Sequence, residues 1–190
     1  MNSLWDGYKK PDRDDLADVD VLVYDIQDVG VRFYTYISTL QRFMEAAAEH
    51  DKELIILDRP NPLGFYVDGP VLEESHRSFI GMQPVPVVYG MTTGEYAGML
   101  IAERWLSDRA MRPAVTVVAC SHYAHDSLYQ LPVGPSPNLP AMASVYLYPS
   151  LCFMEGTACS VGRGTAYPFQ LFGSPYFPDN LYPFVPRSVP

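Results

Sequence analysis

The sequence predicts an α/β layered fold with a largely parallel sheet. Two observations carry this expectation. Short apolar runs alternate with segments of helical periodicity, in the order strand, helix, strand, strand, helix, strand. The first run, Val19-Asp20-Val21-Leu22-Val23-Tyr24, is apolar apart from Asp20, which suits a strand buried on both faces.

A helix follows that strand. Ser38 and Gln41 fit a capping box, and Leu40, Phe43, Met44, Ala47 and Ala48 recur at helical spacing on one apolar face. Glu53 to Asp58 is the second strand, ended by Pro60 and Pro62, which a central strand cannot contain. Val85-Pro86-Val87-Val88-Tyr89 reads as a third strand, short or at an edge because of Pro86. Thr92 and Glu95 form a second capping box, opening a helix that carries Tyr96, Met99, Leu100 and Trp105 and runs to about Leu106. Val115 to Cys120 is the fourth strand. Composition shifts near residue 120. Eleven of the 18 prolines fall from Pro132 onward, with many tyrosines and few charges. The expected division is residues 1–120 and residues 121–190, the second built from rigid Pro- and Gly-containing loops.

Composition narrows the function. The chain is 48% hydrophobic and 18% charged, as globular domains are. Its net charge is −9, with eight aspartates in the first 28 residues and no Lys/Arg run, which argues against nucleic acid as a partner. Cys120, Cys152 and Cys159 lack the spacing of a zinc site or a disulfide framework, so free thiols are expected. No apolar run approaches membrane-spanning length, and no signal peptide is evident. Neither a cofactor nor a metal is expected. Gly162-Arg-Gly-Thr165 lacks the P-loop lysine, and His122-Tyr-Ala-His125 has no matching carboxylate nearby in sequence. A G-x-S-x-G elbow is absent, which speaks against an α/β-hydrolase.

Ligands of open α/β sheets bind outside the carboxyl ends of the strands. Three polar motifs stand at such ends: Asp25-Ile-Gln-Asp28, Asp58-Arg-Pro-Asn61 and Gly90-Met-Thr-Thr-Gly-Glu95. Strand ends of one parallel sheet share an edge, so the motifs should converge. Asp25 to Tyr36 adds Arg32, Tyr34 and Tyr36, a density of directional hydrogen bonding that suits the hydroxyls and weakly apolar ring of a sugar. Each motif has a structural alternative. Asp25 and Asp28 would cap the turn and pair with Arg32. Asp58 and Arg59 would lock a turn as a pair. Glu95 is already explained by its capping box. Tyr34 and Tyr36 share one side if the segment is extended, facing either a sugar or the core.

Taken in order, these motifs resemble one family. Ser3-Leu-Trp, Asp25 to Tyr36, Leu57-Asp-Arg-Pro-Asn-Pro62, Gly90 to Glu95, Pro135-Ser-Pro-Asn-Leu-Pro140, Glu155-Gly-Thr and Gly162-Arg-Gly-Thr165 are similar to the exo-β-N-acetylmuramidases of the NamZ type, across nearly the whole chain. The resemblance implies a Rossmann-like N-terminal domain, here lacking its first part, and the incomplete start of a smaller α+β C-terminal domain. It implies a glycoside hydrolase that removes terminal N-acetylmuramic acid from the non-reducing end of peptidoglycan fragments, in a secreted or periplasmic setting. Candidate substrate-binding residues are Asp25, Gln27, Asp28, Arg32, Tyr34, Tyr36, Asp58, Arg59, Asn61, Glu95, Asn138, Glu155 and Arg163. Arg32, Arg59 or Arg163 would clamp the lactyl carboxylate.

The family also carries a Pro-Glu-His-Gly motif upstream of Ser-Leu-Trp, whose Glu leads as catalytic acid/base and is not among these residues. Val161 stands where an acidic residue is expected before Gly-Arg-Gly-Thr. Glycoside hydrolysis ordinarily uses two carboxyl groups, although a substrate N-acetyl group can replace the nucleophile. Negligible turnover is therefore expected from residues 1–190. The alternatives are a non-catalytic sugar- or peptidoglycan-binding remnant and a non-functional fragment.

Overall fold

A computed structural model of the chain describes residues 10–110, 113–178 and 183–187. The Ser3-Leu-Trp segment lies outside the described residues. Two compact units are present, Met1–Ser127 and Leu128–Pro190.

The first unit is a three-stranded parallel sheet in the order β1 (Val21–Tyr24), β2 (Glu53–Leu57), β3 (Ala114–Val118). Its strands are rich in Val, Ile and Leu, which fit a pleated, apolar surface. Helix α1 (Tyr36–Glu49) joins β1 to β2, and α2 (Thr93–Ala102) lies between β2 and β3. The register places Leu22, Tyr24, Leu54, Ile56, Val115 and Val117 on one face and Val21, Val23, Ile55, Leu57, Thr116 and Val118 on the other. Ile37, Leu40, Met44 and Ala47 of α1 and Tyr96, Ala97 and Leu100 of α2 form a single core with Tyr24, Leu54 and Ile56 of the first face.

Both helices therefore lie on the same face, which corrects the expectation that β1 is buried on both. Val21 is 40% exposed and Val23 53% exposed, and Leu57 and Val118 are exposed beside them. The cause is topological. Strands added successively in one direction by right-handed crossovers place their helices on one side.

Three further expectations are corrected. Val85 to Tyr89 is not a strand of the sheet. Val88 instead forms isolated antiparallel bridges with Val31 and Asp68, and Pro86 has no N–H for a continuous ladder. Helix α1 does not begin at a Ser38 cap. Its N-cap is Thr35, left-handed at φ 67°, and Ser38 and Gln41 are buried within the helix. There Gln41 donates to Glu45 Oε1 and to the Trp105 carbonyl and accepts from Gln83. Arg32 to Tyr34 is a short 3-10 turn, so the Tyr34 and Tyr36 side chains are not set by an extended strand. Their half-buried rings meet edge-on, 4.7 Å apart. The capping box of α2 forms as expected: Thr92 Oγ1 accepts the Glu95 amide and Glu95 Oε2 accepts the Thr92 amide.

The second unit contains helix α3 (Met142–Leu151), over a stretch to which the sequence assigns no element. Ser144, Val145 and Tyr148 are its buried residues. Ser144 Oγ donates to the Pro168 carbonyl at 2.8 Å, and the Tyr148 and Phe169 rings meet edge-on at 4.9 Å. Pro149 sits in the last turn, and a 3-10 turn over Cys152–Gly156 follows. Among the described residues no helix is long and apolar enough to cross a membrane.

Candidate functional site

All three strands point the same way, so the segments that follow them emerge on one edge. Helices of parallel crossovers run back against the strands. The N-terminus of α2 therefore reaches that edge too, which brings Gly90 to Glu95 there without a strand before it.

Hydrogen bonds tie the segments together. Arg59 Nε donates to Asp25 Oδ1 at 2.6 Å. Gln27 Nε2 donates to the carbonyls of Asp28 and Pro60, at 2.8 and 2.9 Å. Asp58 accepts Thr92 Oγ1 at 2.7 Å and the Gly94 amide at 2.8 Å, so a carboxylate occupies the positive end of α2. Asn61 donates to the Met91 carbonyl and accepts the Leu63 amide. Tyr123 OH donates to the Asn61 carbonyl, and Cys120 Sγ to the Asp58 carbonyl. His125 lies 2.9 Å from Glu95. Asp25, Gln27, Asp28, Asp58, Arg59, Asn61 and Glu95 thus form one connected edge.

The residues divide by exposure. Asp25 and Arg59 are a half-exposed ion pair on the outside of the edge. Asp28 is only 7% exposed. Its Oδ2 accepts the Gly30 amide at 2.7 Å and the Tyr89 hydroxyl, and Oδ1 is wholly buried. Burial raises the Asp28 carboxyl and outweighs the Tyr89, Gly30 and Val29 hydrogen bonds, leaving its pKa at about 6. Burial and the Asp28 charge push the Tyr24 and Tyr89 hydroxyls well above the usual phenol range. Partial burial alone would raise Glu95. The Thr92 amide, the His125 ring and the Thr92 hydroxyl outweigh it and hold the carboxyl below its ordinary value.

Arg32 is placed inside, 5% exposed. Its Nη1 donates to the carbonyls of Val85 and Pro70, so this guanidinium braces the 70–85 segment. Asp28 accepts the Tyr89 hydroxyl, and Asp25 pairs with Arg59. A cavity of about 620 Å³ lined by Arg13, Asp14, Glu49, Asp51 and Lys52 opens at the opposite, amino-terminal edge of the sheet.

Asn138, Glu155 and Arg163 belong to the second unit. Arg163 donates to Glu155 and stacks 5.2 Å above the Phe169 ring. Val161 is buried, and its carbonyl accepts the Phe169 amide at 2.8 Å. The Asn138 amide donates to Ser136 Oγ at 3.1 Å. Among the described residues no three His, Cys, Asp or Glu side chains gather as a metal-ligand set.

The sequence reading missed Tyr123 and His125 as parts of this edge. Their signal was position alone, since they follow the last strand of the sheet. His125 does have a carboxylate partner, Glu95, but it lies 30 residues away in sequence.

An α/β unit with a polar carboxyl-terminal edge defines the class, and comparison with known proteins defines the family. Residues 1–143 match the family model described as exo-beta-N-acetylmuramidase NamZ, N-terminal, and residues 146–184 match its C-terminal counterpart. The chain belongs to this family. It is 44% identical over 179 residues to the peptidoglycan beta-N-acetylmuramidase NamZ of Bacillus subtilis (strain 168), covering 92% of this chain and 42% of that protein. Two crystal structures of DUF1343 family proteins from Bacteroides fragilis NCTC 9343 are similar. One superposes with a TM-score of 0.89 at 50% identity, over 94% of this chain and half of the other. The second has a TM-score of 0.84 at 40% identity, over 93% of this chain and 47% of its own. The chain thus spans about half the length of these relatives or less.

Proposed function

We propose that this chain supplies the sugar-binding edge of an exo-β-N-acetylmuramidase, a glycosidase that releases terminal N-acetylmuramic acid from peptidoglycan fragments. The observation that carries the reading is the hydrogen-bonded convergence of Asp25, Gln27, Asp58, Arg59 and Asn61 on one sheet edge, in a chain of this family. Division of labour follows from exposure. Asp58, Asn61 and Asp28 frame the edge from within, while Asp25 and Arg59 face solvent. We assign the lactyl carboxylate to Arg59, whose guanidinium is half exposed with its Nε on Asp25, whereas Arg32 is buried with Nη1 on interior carbonyls. Asp25 orients sugar hydroxyl or acetamido groups beside it.

These residues bind rather than donate the catalytic proton. An acid must present a protonated carboxyl to the leaving oxygen. Asp25 is paired with Arg59, Asp58 accepts three donors, Asp28 is buried under Tyr89, and Glu95 is held by Thr92 and His125.

The test is calorimetry of residues 1–190 with N-acetylmuramic acid and with N-acetylglucosamine, which lacks the lactyl group. Muramic acid should bind more tightly, and Arg59→Ala should remove that preference, a loss of about tenfold to a hundredfold for a charge-assisted contact. No heat at millimolar muramic acid rejects the reading. Turnover of a chromogenic muramide by this chain would overturn the assignment of binding without acid catalysis.

A further inference from the structure

His125 is half exposed on the segment that follows β3. Its Nδ1 lies 3.2 Å from the Gly64 carbonyl oxygen and its Nε2 2.9 Å from Glu95 Oε1. Both partners accept hydrogen bonds and have no proton to give. A neutral imidazole carries one N–H and satisfies one of them; the pair together requires both nitrogens to donate.

Glu95 transmits the contact. Its Oε2 accepts the Thr92 amide at 2.8 Å, and Thr92 Oγ1 donates to Asp58 Oδ2 at 2.7 Å. The same post-β3 segment reaches the edge twice more, through Tyr123 OH on the Asn61 carbonyl and Cys120 Sγ on the Asp58 carbonyl.

We propose that His125 is a positioning residue: as an imidazolium it latches the post-β3 segment to the N-terminus of α2 and to the Gly64 turn, and through Glu95 and Thr92 it sets Asp58, a latch that deprotonation releases. The consequence for ligand binding rests on the sugar-binding reading; the latch itself does not.

The groups around the ring favour the cation. Glu95 is the charged side chain facing it from α2. Gly64 and Gly90 offer only backbone, and the Tyr123 ring stands 6.0 Å away with its hydroxyl spent on Asn61. The positive end of α2 would oppose a cation, but the Asp58 and Glu95 carboxylates sit on that end and offset it. The Glu95 hydrogen bond lifts His125 above the usual imidazole range against a lowering by partial burial, with Gly64 and Gly90 adding to the rise.

Nitrogen and proton NMR of the full 190-residue chain, titrated from pH 5.5 to 8.5, tests the proposal. The expected result is a doubly protonated His125 ring at pH 6, with the Thr92 and Gly94 amides titrating at its midpoint. Glu95→Gln should move that midpoint down. His125→Arg, which stays charged, should hold both amides at their low-pH positions throughout. His125→Gln should hold them at their high-pH positions. A neutral ring at pH 6, a midpoint unmoved by Glu95→Gln, or amides that titrate independently of His125 overturns the latch. Muramic-acid affinity, measured separately, should weaken through the same midpoint in the wild type and not in His125→Arg. If the ring and amides titrate together but no muramic acid binds, the sugar reading fails while the latch stands.

Discussion

Asp28→Asn isolates the energetic consequence of burying a carboxylate behind the edge. Asp28 Oδ2 accepts the Gly30 amide and the Tyr89 hydroxyl, and asparagine retains an oxygen that can accept both. The substitution removes the charge and puts Nδ2 at the buried Oδ1 position, the second a cost that does not vary with pH. Burial holds the folded carboxyl at about 6, against 3.8 for a solvent-exposed aspartate, the value taken for the unfolded chain. A folded value above the unfolded one means that the folded state binds the extra proton between the two. The stabilisation is therefore fully present below pH 3.8 and is lost as pH rises through about 6. The rise from 3.8 to about 6 corresponds to about 3 kcal/mol. Urea denaturation of wild type and Asp28→Asn at intervals from pH 4 to pH 8 measures it, because subtracting the two profiles cancels every other titrating group. The difference should move in favour of the asparagine variant by up to about 3 kcal/mol across that window, most steeply between pH 4 and 6. A difference that is flat with pH would refute the claim that Asp28 is desolvated, and with it the placement of Tyr89 and Gly30 around it.

Two further substitutions test the packing. Leu54→Ala, on the helix-covered face of the sheet, should cost about 2–5 kcal/mol by denaturation, whereas Val23→Thr on the exposed face should stay within about 0.5 kcal/mol. Equal losses at the two positions would contradict the one-sided sheet. Gly94→Ala places a Cβ 2.6 Å from Val117 Cγ1 and 2.9 Å from Asp58 Oδ2, so it should destabilise by about 1–3 kcal/mol despite alanine's higher helix propensity. A stabilised Gly94→Ala protein would show that α2 and Asp58 are not so close.

What was legible in the sequence was whatever depends on local pattern and strand direction. The Thr92–Glu95 capping box is encoded in four residues and forms as written. The second strand stops before Pro60, as two prolines require. Features set by partners distant in sequence were not legible. Arg32 reads as a surface clamp until the Val85 and Pro70 carbonyls, 53 and 38 residues away, take its guanidinium. Ser38 and Gln41 have the form of a cap, but Thr35 adopts a left-handed conformation and starts the helix earlier, leaving Gln41 to bond with Trp105 and Gln83. Helix α3 was hidden because its residues are apolar around much of their circumference and include Pro149, so no amphipathic period marks it.

The apolar run of β1 shows where such reasoning divides. Composition says that Val21 and Val23 tolerate burial; it does not say which face the crossovers will cover. The order β1-β2-β3, always advancing one way, commits α1 and α2 to the same side and leaves these valines exposed among the described residues. The polar edge is indifferent to that outcome. It depends on the strands running parallel, so that Asp25, Asp58 and the loop of Tyr123 and His125 emerge together, and on α2 returning against them with Thr92 and Glu95 at its start. Strand direction fixes where the polar groups meet, and hydrogen bonds such as Gln27 to Pro60 and Thr92 to Asp58 then fix how. The polar edge can therefore form while one face of the sheet remains exposed.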